Sequence, residues 1–333
     1  MTEYNFEDWA PQIRTIHPHL PGSFTISPAI KQVQFEPALT ESDYATLAET
    51  LRGRPEVSLR VYGYNLKDLD FLKHFSHVRK LGIDLWFLTD LTGLQAVNTL
   101  DEFAFGWTKT KKHSLDFLAR FPDLQNLYVE GHHKDIDVIS QLKHLEWLTL
   151  RSITLPELDL LVQLPILSHL DIKLGGTTNL KALPNLVKLE YLELWLIRGL
   201  ADLSVIGDMT SLESLFLQAL KNVTQLPSFA QLKRLRRVSV QTMKGLRDLS
   251  PIAEAPALEE LVLTDMGSLD PRSLRCFVGH PALRKFHGGL GSGKRNAYAE
   301  VLLGLPPSVW LPPGMRERVA LEIMAERAKA SLN

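Results

Sequence analysis

A single cysteine, Cys276, stands in 333 residues, which excludes internal disulfides and any zinc site built from several thiolates. No apolar run approaches the ~18 residues needed to span a bilayer. The opening residues, MTEYNFEDWAPQIR, place Glu3, Glu7 and Asp8 ahead of Arg14. A secretory leader needs the reverse, a basic start and then an apolar stretch. A reducing, cytoplasmic location is therefore expected, and the sequon Asn222-Val223-Thr224 matters only on export. An excess of one charge is also missing, since 37 Lys+Arg face 38 Asp+Glu. That balance argues against coating nucleic acid or an anionic membrane through bulk charge. H-E-x-x-H, G-x-S-x-G and paired-carboxylate arrangements do not occur.

Leucine is what the chain has in excess, 61 residues or about 18 %. Length alone suggests two domains of ~150 residues, but self-similarity overrides that count. The pattern L-x-x-L-x-L, with apolar substitutes, starts at Ile30, Glu56, Val78, Leu100, Leu124, Leu145, Leu167, Leu189, Leu212, Leu235, Leu258 and Leu283. Its spacings of 26, 22, 22, 24, 21, 22, 22, 23, 23, 23 and 25 are near constant. The last two apolar positions alternate with polar ones, which is strand periodicity. The return half differs: Leu66, Leu69, Leu72 and Phe75, like Leu200, Leu203 and Ile206, recur every three residues. That period suits 3₁₀ turns better than an α-helix. Prolines 165, 184, 227, 251 and 256 fall in these return or connecting segments, where no sheet hydrogen bond is lost.

These copies, clearest at Leu189-Glu-Tyr-Leu-Glu-Leu194, Leu212-Glu-Ser-Leu-Phe-Leu217 and Leu258-Glu-Glu-Leu-Val-Leu263, resemble a leucine-rich repeat protein over about residues 30 to 287. The copies ending in GLADLSVI and GLRDLSPI are similar to the short repeats of bacterial internalins and cytosolic phosphatase regulators. The resemblance implies an α/β fold. Its form is a right-handed leucine-rich repeat solenoid with a parallel β-sheet on the concave face, mainly 3₁₀ or irregular return segments and a helical C-terminal cap. Residues 1–29 are expected to form an N-terminal cap, 30–287 a solenoid of about twelve coils, and 288–333 a C-terminal helical cap. Thr40 to Arg52 reads as a helix with Thr40 as N-cap and Gly53 past its end. Lys294–Leu303 and Met315–Ala330 read as two further helices joined by PPSVWLPP. The family often places an inward asparagine eight residues after each repeat start. Here those sites include Trp86, Ile153, Ile197, Leu220, Met243 and Met266.

Alternation assigns positions 3, 5 and 7 of each repeat to the face away from the core. Those columns bring together Tyr128, Trp147, Tyr191, Trp195 and Phe216, interleaved with Arg151, Asp171, Lys173 and Glu193. Contiguous exposed aromatics with charges between them have the composition of a protein-interaction hot spot. Asp171 and Glu193 share column 5 on adjacent strands, ~4.8 Å apart, with Arg151 and Lys173 placed to compensate them diagonally. A patch on the order of 300 Å² is smaller than the ~800 Å² of a standard interface, so a rim on neighbouring repeats is implied. The family resemblance implies protein recognition on this face. The expectation is a non-enzymatic adaptor, inhibitor or regulatory subunit with a protein partner, no cofactor, no small-molecule substrate and no membrane.

Two alternatives remain open at this point. Gly288-Gly-Leu-Gly-Ser-Gly-Lys294 fits the G-x-x-x-x-G-K of a phosphate loop between a strand and a helix, but Arg295 stands where the magnesium-binding Ser/Thr belongs. Basic runs at Lys109–Lys112 and Lys233–Arg237 are short, and a solvated rim is preferred to nucleic-acid binding. His132-His133 and His17-Pro-His19 are taken as solvated loops and Cys276 as half-buried packing, none of them a reactive or metal site.

Overall fold

A computed structural model of the chain describes residues 12–17, 24–36 and 38–305. Most of the expected N-terminal cap, His19, the PPSVWLPP stretch and the helix expected over Met315–Ala330 lie outside them. The described residues form one sheet of thirteen parallel strands whose spatial order is the order of the chain. Strands β1 (Ile13–Thr15), β2 (Gln32–Phe35), β3 (Ser58–Gly63), β4 (Lys80–Leu85), β5 (Glu102–Phe105) and β6 (Asn126–Glu130) make the first half. Strands β7 (Trp147–Arg151), β8 (His169–Lys173), β9 (Tyr191–Trp195), β10 (Ser214–Gln218), β11 (Arg237–Gln241), β12 (Glu260–Thr264) and β13 (Lys285–Gly288) complete it. The sheet starts one strand earlier than the twelve repeats, because Ile13–Thr15 pairs with Gln32–Gln34 inside the segment expected as an irregular cap.

The leucine spacing dictates each coil. In the Leu189 repeat, Leu189, Leu192 and Leu194 are fully buried from the strand side. Leu200, Leu203 and Ile206 meet them from the return side. No single coil can cover both edges, so stacking produces one continuous core. Most return segments are 3₁₀ as the threefold spacing predicts, for instance Asp70–His74, Asp159–Gln163 and Ser204–Asp208, whereas Ser250–Ala253 is a single α-helical turn. Their turns close by i→i+3 bonds such as Ile206 N–H to the Leu203 carbonyl at 3.0 Å. The aspartates of the DLS motifs start them: Asp202 accepts from Ser204 N–H at 2.8 Å and Asp248 from Ser250 N–H at 2.9 Å. The helix Glu41–Arg52 has the expected start, a capping box between Thr40 and Asp43.

At the end of most strands from β6 on, the chain turns through a left-handed residue. These are Gly131, Ser152, Leu174, Leu196, Ala219, Thr242 and Asp265, with φ of 77°, 54°, 57°, 49°, 54°, 52° and 50°. The turn aims the amide of each of these residues except Asp265 at the next strand; Ser152 N–H, for example, reaches the Lys173 carbonyl at 2.7 Å. Near the C-terminal end, thioethers take the place of the family's inward asparagine. Leu220 N–H donates to Met243 Sδ at 3.3 Å, Met243 N–H to Met266 Sδ at 3.4 Å, and Met266 N–H to the Gly289 carbonyl at 2.8 Å. Trp86 differs from the other sites of that series and is exposed, not inward.

A non-glycine residue in the left-handed region carries a penalty of roughly 1 kcal/mol that glycine lacks. Ala219→Gly is therefore expected to raise unfolding stability by about 0.5–1 kcal/mol, the opposite sign to an ordinary Ala→Gly change. Urea unfolding of the variant checks this, and a loss of stability would contradict the strain.

Candidate functional site

The strand register sets the face. Asn126, Trp147, His169, Tyr191, Ser214 and Arg237 stand side by side in column 3. Tyr128, Thr149, Asp171, Glu193, Phe216 and Ser239 make column 5, and Glu130, Arg151, Lys173, Trp195, Gln218 and Gln241 column 7. These alignments are the ones read from the sequence.

Column 3 carries an aromatic ladder. The Trp147 and His169 rings stack at 4.6 Å and 14°, and His169 continues onto Tyr191 at 5.7 Å and 23°. Trp147 is 39 % exposed, and His169 and Tyr191 are half-buried. In column 7, Arg151 lies over the Trp195 ring at 5.3 Å and pairs with Glu130 at 2.9 Å. Tyr128 donates its hydroxyl to Glu130 at 2.6 Å, and burial raises the phenol's pKa, so it stays protonated.

Between the two outer columns lies an acidic floor. Asp171 Oδ2 accepts from Thr149 Oγ1 at 2.7 Å and from Trp147 Nε1 at 3.2 Å. Lys173 Nζ bridges Asp171 at 3.5 Å and Glu193 at 3.1 Å, and Tyr191 donates to Glu193 at 3.1 Å. Burial pushes the Glu193 carboxyl up, with Lys173 opposing. The compensation expected of both cations falls to Lys173, because Arg151 is turned to Glu130 and Trp195.

Column 5 corrects the expected exposure. Thr149, Asp171, Glu193, Phe216, Ser239 and Val262 all face away from the core, yet none is more than 7 % exposed. The middle column of a concave sheet is crowded by columns 3 and 7 and by strands ~4.8 Å away on both sides. Phe216, at 1 % exposure, is therefore not the open anchor expected, and Asp171 and Glu193 are shielded carboxylates instead of surface ones.

Among solved structures, the chain is similar to an internalin, InlF, of Listeria monocytogenes: 17 % identity, TM-score 0.52, 80 % of this chain and 76 % of that chain covered. A chain of the Toll–Spatzle complex of Drosophila is similar at 17 % identity and TM-score 0.55, over 77 % of this chain and 40 % of that one. No protein-family model matches, and no curated protein does. At this identity the likeness is one of fold. This is a leucine-rich repeat solenoid.

Outside its concave face, the solenoid absorbs the other motifs. Three of the four glycines of Gly288–Lys294 serve close packing: a Cβ on Gly288 would stand 2.8 Å from the Phe286 ring, one on Gly289 2.9 Å from the Leu263 carbonyl oxygen, and one on Gly291 3.0 Å from Gly267 Cα. Two of the loop's amides are already committed, since Gly289 N–H donates to the Leu263 carbonyl and Leu290 N–H to Asn296 Oδ1. Ser292 caps the helix Gly293–Leu303 that follows. The arginines of the basic run Lys233–Arg237 are neutralised: Arg234 pairs with Glu190 and Glu213, Arg236 with Glu259, and Arg237 with Glu260, while Lys233 donates to the Ala230 carbonyl. His132 is not solvated. It fills an inward repeat site, stacked on Phe105 at 4.1 Å with Nε2 on the Gly106 carbonyl, and burial lowers its pKa to about 4. Cys276 is exposed on the return segment Pro271–Phe277, where its thiol donates to the Ser273 carbonyl.

Sequence reasoning missed the loops that follow β3 to β5. Tyr64, Trp86 and Phe87 are exposed there, and Lys109 and Lys111 lie over the Phe87 and Trp107 rings. The signal was present in aromatic residues at loop positions, which column reading passes over.

Proposed function

We propose that the chain is a non-enzymatic protein-binding module that holds a protein partner on the concave face of its solenoid, as an adaptor, inhibitor or regulatory subunit. The observation that carries this reading is the Trp147–His169–Tyr191 ladder, a stacked aromatic surface with Trp147 open to solvent. Large, rigid aromatic side chains that lose little entropy on binding are the usual anchors of interfaces. Trp195, Arg151, Lys173 and Tyr128 set the orientation around them, with Asp171 and Glu193 as the charged floor. The fold supports the reading, since a Toll chain of the same architecture is found in a protein complex. Among the described residues no helix is long and apolar enough to cross a membrane. A reducing cytoplasm remains the proposed location.

Trp147→Ala combined with Trp195→Ala is expected to abolish capture of partners recovered by the wild-type protein. The thermal midpoint should fall by no more than about 4 °C, because both rings lie outside the core cluster and Asp171, which loses its bond from Trp147, keeps those from Thr149 and Lys173. Affinity capture compared by mass spectrometry, with calorimetry of both proteins, provides the test. Unchanged capture, or unfolding of the variant, removes the ladder from the binding site.

A further inference from the structure

The first half of the concave face contains a built hollow. Column 5 there runs Arg60, Gly82, Ala104, Tyr128 on neighbouring strands, so two nearly absent side chains stand between two large ones. The result is a depression of about 520 Å³, within the size range of ligand-binding clefts. Gly82 and Ala104 form its floor, where Leu81, Phe103 and Leu127 add only their strand positions because their side chains are 2 % exposed and lie in the core, and Tyr128 and Trp147 close it on the side of the aromatic ladder. It is thus continuous with the proposed binding face.

The charges around it cancel. Arg60 is held by Asp84 at 2.6 Å and by Gln34 at 3.1 Å, and Glu102 by Lys80 at 2.7 Å. A charged guest would lose water without gaining an uncommitted counter-ion, which disfavours it. Hydrogen-bonding capacity is available, by contrast: the Asn126 side-chain amide and the Ser58 hydroxyl line the hollow and make no side-chain hydrogen bond among the described residues. An aliphatic guest would cover these groups without pairing them, a cost of about 1–3 kcal/mol for each group so buried. An apolar floor, an aromatic wall and free neutral polar groups together select a flat apolar ring with a hydroxyl at its tip.

We infer that this hollow is the anchor pocket for a tyrosine side chain of the protein partner, its ring over Gly82 and Ala104 and its hydroxyl at the Asn126 side. The inference rests on the concave-face reading, but its test reads the hollow alone. The probe is p-cresol, the tyrosine side chain as a free molecule, titrated into the full chain at millimolar concentrations and followed by amide NMR. Saturable shifts of the Gly82, Ala104 and Asn126 amides are expected, with binding several-fold weaker for toluene and no such shifts for n-propylguanidinium. A Cβ added at Gly82 meets only ordinary contacts, 3.4 Å to Arg60 Cγ and 3.9 Å to Ala104 Cβ. Gly82→Leu therefore fills the hollow in a folded chain and should weaken p-cresol at least tenfold, and Ala104→Val serves as a second filling variant.

Absence of shifts at these amides, equal response to n-propylguanidinium, or p-cresol binding unchanged in both filled variants would overturn the pocket. A silent hollow alongside partner capture that is lost in the double tryptophan variant would discard the pocket and keep the face. Saturable p-cresol binding in the hollow with capture insensitive to the tryptophans would do the reverse.

Discussion

Lys173→Met is expected to destabilise the protein by about 3 kcal/mol at pH 7. Lys173 is the one cation paired with both Asp171 and Glu193 among the described residues, and the two carboxylate side chains are only 5 % and 3 % exposed. Removing one partner of a buried ionic cluster typically destabilises by about 3–5 kcal/mol. Protonation of Glu193 sets the ceiling. Bringing a carboxyl with an ordinary pKa of 4.5 to its neutral form at pH 7 takes about 3 kcal/mol, at roughly 1.4 kcal/mol per pH unit. The penalty should therefore shrink to under about 1 kcal/mol at pH 5. Adding Glu193→Gln should recover most of it at pH 7, because Asp171 keeps its bonds from Thr149 and Trp147. Urea unfolding of the three proteins at both pH values measures this. A Lys173→Met penalty that is the same at pH 5 and pH 7 would show that the loss is one of packing.

Acid should weaken the fold through its histidines, His132 above all. Its pKa falls from an ordinary 6.5 to about 4 because the ring is buried against Phe105. The unfolded chain then binds a proton that the folded chain refuses, so stability is whole above about pH 6.5 and falls as the pH drops towards 4. Below about pH 4 both states are protonated and the loss levels off. The full effect is about 3 kcal/mol, the depression of roughly 2.5 units at 1.36 kcal/mol each. His77 and His169 are shifted in the same direction by burial and steepen the same limb. His132→Asn should start less stable at pH 7, having lost the stack on Phe105, but its curve between pH 6.5 and 4 should be flatter by one proton. Parallel curves for the two proteins would show that His132 titrates normally in the folded state.

How much of this was open to inspection in the chain itself follows from the range over which each feature is encoded. Strand and 3₁₀ segments depend on spacings of two and three residues, and Leu189 to Ile206 spells out a complete coil without reference to any other. Stacking those coils at equal phase aligns the columns, so Trp147, His169 and Tyr191 could be placed side by side from their repeat positions. The left-handed turns were hidden because residues as unlike as Leu196 and Thr242 occupy them. The Met243 and Met266 sulfurs looked like plain core until their distances to backbone amides were known.

What tertiary structure alone decided is exposure and pairing. Phe216 and Asp171 stand at positions that point off the core, yet how far solvent reaches them depends on the side chains of strands above twenty residues away. Gly82 and Ala104 are unremarked within their own repeats, and a hollow exists only because they are stacked between Arg60 and Tyr128. Arg237 is one of a basic run in sequence and one half of an ion pair with Glu260 in space. The sequence by itself determined the coil, since backbone periodicity is local. The structure decided the surface, since accessibility and charge balance belong to neighbours that only stacking brings together.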